Sequence, residues 1–282
     1  MAREKGLSKQ VQDILDSKLK IGHSKYADKK QGITGNHIYS WSTYRAYLKH
    51  GCYFAKWVKV AHGCKTLESA REHVDEYLQK RIDEKVSPYT QKLEAAALAK
   101  IYGCTTEDFI KTEVRHRSEI TRSRGEKARD KHFSEENNKE FVDFCKATGL
   151  RRSELRQLRP DQLTYDESTK TYSLIIIGKG GRIRECPVLT DEAVQLIQRA
   201  GAGNVWPKIP NGADIHSYRA NYCTALYKRY ARSKGDIPKE DRYCCRRDLK
   251  GVWYDKRAME IATKALGHNR ISVIAGHYIR KE

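Results

Sequence analysis

Apolar residues in the first 110 positions recur every three to four residues, the period of helices that bury one face. Val11, Ile14, Leu15 and Leu19 predict a short helix closing residues 1–20. Residues 22–36 lose the period, carry basic residues and turn formers, and predict a loop. From Ser40 to Val60, Tyr44, Tyr47, Leu48, Phe54, Trp57 and Val58 make the apolar face of a long helix that Gly63 would stop. Thr66 is placed to cap the next helix, whose stripe runs Leu67, Ala70, Val74, Tyr77, Leu78 and Ile82. Ser87-Pro88 predicts another start, with serine as N-cap and proline where its missing N–H costs nothing. Leu93, Ala96, Ala97 and Ile101 follow, and Gly103 closes it. A short helix over Glu107–Lys111 completes an all-helical first part.

The apolar pattern then disappears. Residues 113–132 are almost entirely charged or polar, and they include Arg117, Arg122 and Arg124. The stretch predicts a basic linker between two domains, either a solvated loop or a strap along a nucleic-acid backbone. The pattern resumes with a helix capped by Ser134, carrying Phe141, Val142 and Cys145, and ended by Gly149. Ser153 to Leu158 predicts a second short helix, broken by Pro160. Thr171–Ile177 is β-branched and short, 178–181 is turn chemistry, and Arg184–Val188 returns, which together predict an antiparallel hairpin. Helices are expected from Thr190 to Ala200, Ile215 to Arg232 and Lys256 to Leu266. The fold class is therefore mainly α with a small antiparallel β-sheet (α+β). The domains expected are a helical one over 1–112, the basic linker over 113–132 and a mixed one over 133–282.

Charge changes the picture next. The 282 residues carry a formal net charge of +19, which points to nucleic acid as partner. No apolar run approaches the roughly 18–20 residues a membrane span needs. No apolar stretch follows Met-Ala-Arg-Glu-Lys-Gly, so no secretion signal is expected and the cytoplasm, in association with the nucleoid, is the expected location. Eight scattered cysteines without a Cys-x-x-Cys pair predict free thiols. Adjacent Cys244 and Cys245 make a poor zinc pair, and no metal or other cofactor is expected.

Candidate chemistry concentrates in four short motifs, Thr148-Gly-Leu-Arg-Arg-Ser-Glu-Leu155, Gly178-Lys179-Gly180, His216-Ser-Tyr-Arg219 and Leu266-Gly-His268, followed by a tyrosine at 278. One tyrosine among seventeen means nothing alone; the ordered set does. Attack on a phosphodiester gathers negative charge on the equatorial oxygens, which arginines can stabilise because they stay charged and offer a planar fork to two oxygens. A lysine in a partly desolvated site can protonate a leaving oxygen. A tyrosine hydroxyl, with its pKa near 10, needs neighbouring cations or a histidine before it can attack.

In this order, these motifs resemble the tyrosine recombinase (phage integrase) family over residues 148–278, and more loosely that family's core-binding domain upstream, ending at Ser87-Pro88-Tyr89-Thr90. The resemblance implies a helical core-binding domain followed by a catalytic domain, which together clamp double-stranded DNA at specific recombination sites. It implies cutting and rejoining through a 3′-phosphotyrosine, without metal or ATP. Arg151 and Arg219 would be the phosphate clamps, and Lys179 the general acid to the 5′-oxygen. His216 would orient phosphate or move a proton, and His268 would bond a non-bridging oxygen. Tyr278, ten residues past His268, would be the nucleophile. Glu154 would be an orienting ion-pair partner. Arg152, Arg182 and Arg184, with the linker arginines, would be DNA contacts. A homo-tetramer on DNA, an accessory directionality factor and an origin in a mobile element or prophage are implied in the same way. Residues 233–255 lengthen the gap between Arg219 and His268 and fit a DNA-facing insertion or a surface loop equally. The rival readings are a type IB topoisomerase, a DNA-binding regulator on a decayed integrase scaffold, and a basic RNA-binding module.

Overall fold

The computed structural model describes residues 5–116, 133–178 and 182–279. Lys179, Arg117, Arg122 and Arg124, and most of the basic linker, lie outside them. By its internal contacts the chain divides into two compact units, Met1–Glu119 and Ile120–Glu282. No helix among the described residues is long and apolar enough to cross a membrane.

The first unit is helical: α1 (Leu7–Ser17), α2 (Lys25–Lys30), α3 (Trp41–His62), α4 (Leu67–Ala70), α5 (Val74–Asp83) and α6 (Pro88–Tyr102). The hydroxyls of Ser40, Thr66 and Ser87 each accept the N–H three residues on, so the sequence-predicted caps hold the starts of α3, α4 and α6. The predicted stripes meet in one core in which Val11, Leu15, Phe54, Val58, Val74, Leu78 and Leu98 are buried. Thr66's helix is interrupted by a 3₁₀ turn at Arg71–His73 without loss of its stripe. Two expectations are corrected here. Residues 22–36 are not all loop, because α2 forms behind the Ser24 cap, and Asp28 is held by the Lys20 ammonium at 2.7 Å and the Tyr39 hydroxyl at 2.5 Å. The helix expected at 107–111 is only a 3₁₀ turn, Thr106–Asp108, closed by a Thr105–Asp108 capping box.

The second unit runs α7 (Lys139–Thr148), α8 (Arg152–Leu155), β1 (Leu163–Asp166), β2 (Thr171–Ile177), β3 (Ile183–Pro187), α9 (Asp191–Arg199), α10 (Ile215–Tyr230), β4 (Arg242–Cys244), β5 (Trp253–Asp255), α11 (Lys256–Ala265) and α12 (Ile271–His277). β1, β2 and β3 form an antiparallel sheet in that order, with Leu174 opposite Cys186 and Ile176 opposite Arg184. Helix α7 starts at Lys139 rather than at Ser134, whose hydroxyl instead holds the turn before it through the Asn137 N–H. Among the described residues there are two small sheets where one was expected. Within 233–255, β4 and β5 pair antiparallel, while Cys245 is buried and Tyr243, Leu249, Val252 and Tyr254 pack on the core. Arg232 anchors this segment by bonding Asp255 at 2.9 Å and Asp241 at 2.8 Å, so it is a folded hairpin rather than a surface loop.

Candidate active site

The site is built around the last carbonyls of α11. A helix C-terminus leaves its final C=O groups without intrahelical partners and carries partial negative charge, so it attracts cations. Here three arginines fill that role. Arg184 Nε donates to the Ala265 carbonyl at 2.8 Å, Arg151 Nη2 donates to the Leu266 carbonyl at 3.1 Å, and Arg219 Nη2 donates to that same carbonyl. Arg219 Nη1 reaches across to the Gly149 carbonyl, which ties the α7 end to the α11 end. Residues far apart in sequence are thereby fixed within one cluster.

Two motif glycines make this approach possible. Gly149 has φ +59°, and a Cβ there would lie 2.2 Å from the Tyr222 ring. Gly267 has φ +66°, and a Cβ there would lie 2.8 Å from Arg184 Cδ. Both turns need the left-handed conformation, and both need the space for a neighbouring side chain.

Glu154 lies under the arginines, buried. Its carboxylate accepts from Arg184 Nη1 and Nη2 at 2.8 Å each, from Arg151 Nη1 at 2.8 Å and from the Arg151 backbone N–H at 2.6 Å. Burial alone would raise its pKa, but the Arg184 and Arg151 bonds outweigh it and hold the carboxyl at about 2. It is thus a fixed anion that orients cations, with no proton to trade near neutrality. Gly178, at the base of the β2–β3 turn, has its Cα beside this pair, and its N–H bonds the Arg182 carbonyl at 2.7 Å. Lys179 follows directly in sequence, outside the described residues.

One expected DNA contact is corrected. Arg184 is 6% exposed and its guanidinium is fully engaged by Glu154 and Ala265, so it supports the site from inside. Arg152 donates to the carbonyls of Pro210, Asn211 and Ala213 and braces the segment before α10. Arg182 is exposed.

Arg151 and Arg219 also border a cleft of about 520 Å³, lined in addition by Ser153, Arg156, Asp214 and His216. His216 and Arg219 sit one turn apart at the start of α10, where His216 is exposed and Arg219 is 1% exposed. Burial and the nearby Arg151 cation lower the pKa of Arg219, and Tyr278 works against them. The Tyr278 ring centroid lies 5.7 Å from the Arg219 guanidinium and 5.1 Å from the His268 ring. Tyr278 closes α12, an element the sequence reading did not anticipate, with its N–H bonded to the Ile274 carbonyl and its own carbonyl accepting from Thr224.

Buried polar atoms are nearly always paired. Among the described residues, Trp206 Nε1, Arg219 Nε and His268 Nε2 are buried side-chain atoms without a partner, and the last two belong to this cluster. Such atoms suit a ligand carrying acceptor oxygens. Burial, and then the Arg219, Arg151 and Arg184 cations, push the His268 pKa down to about 4. The ring is therefore neutral at pH 7. Because its folded pKa lies below its unfolded value near 6.5, it lends stability that is complete above pH 6.5 and is lost as pH falls toward 4. The urea midpoint of the protein is expected to drop between pH 7 and pH 5, and to drop less in His268→Gln; equal drops would contradict this.

A comparison with protein-family models finds no match, and neither does one with curated proteins. Among solved structures, the chain is similar to the XerH site-specific recombinase bound to palindromic difH substrate in a post-cleavage complex, at 14% identity over 100% of this chain and 95% of that one, with a TM-score of 0.49. It is also similar to the Tn1549 transposon integrase in complex with circular intermediate DNA, at 12% identity over 99% of this chain and 96% of that one, with a TM-score of 0.48. A third is the XerA recombinase, at 12% identity over 98% and 95%, with a TM-score of 0.30.

Proposed function

We propose that this chain is a tyrosine-type site-specific DNA recombinase that cuts and rejoins double-stranded DNA through a phosphotyrosine at Tyr278. The observation that carries the reading is the convergence of Arg151, Arg219, His268 and Tyr278 on one cluster, with buried donor positions on Arg219 and His268 left without partners. Arg151 and Arg219 would hold the non-bridging oxygens of a scissile phosphate, and neutral His268 would add a hydrogen bond from Nε2. Tyr278 Oη attacks phosphorus. The P–O5′ bond breaks, leaving a 3′-phosphotyrosine and a 5′-hydroxyl. Lys179 would deliver the proton to the departing 5′-oxygen, and His216, which lines the adjoining cleft, would move a proton or orient the phosphate. One phosphodiester is exchanged for another, so a second 5′-hydroxyl can reverse the step without ATP.

In this reading the first unit is the core-binding domain, residues 113–132 are a DNA-following linker and 133–282 hold the chemistry. Strand exchange between two duplexes uses four such sites, hence a homo-tetramer on DNA, with an accessory factor setting direction. The excess of cationic side chains makes binding salt-dependent. For about six phosphate contacts, raising salt from about 50 to 200 mM should cost roughly a thousandfold in affinity. A flat titration would remove the electrostatic part of the proposal.

The test of function uses nicked duplexes that carry candidate attachment sites from the neighbouring genome. Adducts that resist denaturation and form only on certain sequences support a recombinase. Adducts on any supercoiled DNA favour a type IB topoisomerase. Tight, specific binding that never gives an adduct favours a regulator.

A further inference from the structure

We propose that the helical N-terminal unit binds one divalent transition-metal ion of the zinc class through His62, His73 and Glu76, as a structural staple separate from the DNA-cleaving site. His62 is the last residue of α3, His73 precedes α5, and Glu76 lies in the first turn of α5. Their ligand atoms all lie within 4.8 Å of one another. His62 Nε2 is 3.0 Å, and His73 Nδ1 3.5 Å, from the same Glu76 oxygen, Oε2. Ligands about 2.0–2.1 Å from a tetrahedral ion are separated by about 3.3 Å, so these two distances bracket what zinc asks for.

The surroundings hold the two rings close together. The two imidazoles stack with centroids 3.7 Å apart and planes inclined by 13°, so one ring must turn out of the stack before both lone pairs can meet at one ion. Trp57 packs edge-on against His62 at 5.2 Å, which fixes that ring from the core side. The far nitrogen of His73, Nε2, faces Glu72 Oε1 at 3.6 Å. A ligating histidine commonly gives its other N–H to a carboxylate, which selects the tautomer and strengthens the ligand. Two imidazoles and one carboxylate suit zinc, nickel or copper better than magnesium or calcium, which prefer oxygen ligands. Glu76 is more than half exposed, so water has access to the fourth position.

The sequence did not reveal the site. The spacing His62-x10-His73-x2-Glu76 matches no zinc-finger pattern, and the three residues meet only because α3 and α5 pack side by side. A bound ion would close the connection from the end of α3 to the start of α5, and by mass action it would stabilise this unit alone.

The test titrates the full-length, metal-free protein with Zn²⁺ by calorimetry and with Co²⁺ by visible absorption. The expected result is one site per chain, a Co²⁺ band of tetrahedral intensity that Zn²⁺ abolishes, and a raised melting temperature. His73→Gln and His62→Gln should each weaken binding at least a hundredfold. Glu72→Gln should weaken it by about tenfold, as loss of a carboxylate behind a ligating histidine does. Covalent adduct formation on DNA should be unchanged in all three variants. Binding that persists equally in the double variant His62→Gln/His73→Gln would place the ion elsewhere, on the cysteines for example. Absence of binding at millimolar Zn²⁺ would reduce the cluster to histidine–carboxylate pairs. Either result overturns the proposal.

Discussion

Tyr278→Phe is expected to abolish the covalent protein–DNA adduct while leaving DNA affinity within about twofold. Removing a nucleophile outright costs on the order of 10⁶ in rate, below detection in a gel assay. The change should leave the fold intact, because the backbone bonds that place Tyr278 stay, its N–H to Ile274 and its carbonyl accepting from Thr224, and only the side-chain bond with Arg219 is lost. The phenyl ring would still pack against His268 at the 5.1 Å spacing and still lie near Arg219. A gel shift and a denaturing gel on the same nicked duplex separate the two effects. A variant that still forms adducts would show that another residue attacks.

The second large effect is on stability. Glu154→Gln is expected to destabilise the catalytic unit by about 3–5 kcal/mol, the usual cost of stripping a partner from a buried charge. The carboxylate satisfies Arg184 through both of its oxygens while also accepting from Arg151. An amide offers one acceptor oxygen and turns an NH₂ group toward a guanidinium. Linkage gives a similar size, since a pKa moved from 4.5 to about 2 corresponds to on the order of 3 kcal/mol. Because the folded pKa is depressed, this stability is present above pH 4.5 and lost as pH falls toward 2. The variant should melt about 10 °C lower at pH 7, with a flatter profile between pH 5 and 2. A melting temperature within a degree or two of the parent would mean that Arg184 finds its compensation elsewhere.

Much of this fold can be read from local patterns, because its stripes and caps are local chemistry. The Thr66 stripe and the Ser40, Ser87 and Thr190 caps act within a turn or two of themselves, and they form as expected. What escaped depends on partners distant in sequence or on short elements. Helix α2 has no apolar face and relies on Lys20 and Tyr39 to anchor Asp28. Strand β1 has four residues, and β4 and β5 three each, too few for an alternation to show. Arg184 is the instructive miss. Counting charge made it a DNA contact, whereas the period of two places it with Cys186 on the inward face of β3, opposite buried Ile176 and Leu174. Of the expected site, the motif residues Arg151, Arg219, His268 and Tyr278 are gathered into one cluster, and His216 lines the adjoining cleft. The carbonyls of Ala265 and Leu266, on which the arginines converge, carry no side-chain signal in any sequence.

The central claim, that Tyr278 becomes joined to the 3′ end of the cut strand, is tested most directly by mapping the adduct. Protein trapped on a nicked attachment-site duplex is digested with nuclease and trypsin, and the modified peptide is sequenced by mass spectrometry. The prediction is a nucleotide 3′-phosphate on Tyr278, in the peptide that follows Arg270, with the released strand ending in a 5′-hydroxyl. A nucleotide on another tyrosine such as Tyr254, or a link through a 5′-phosphate, would contradict the account.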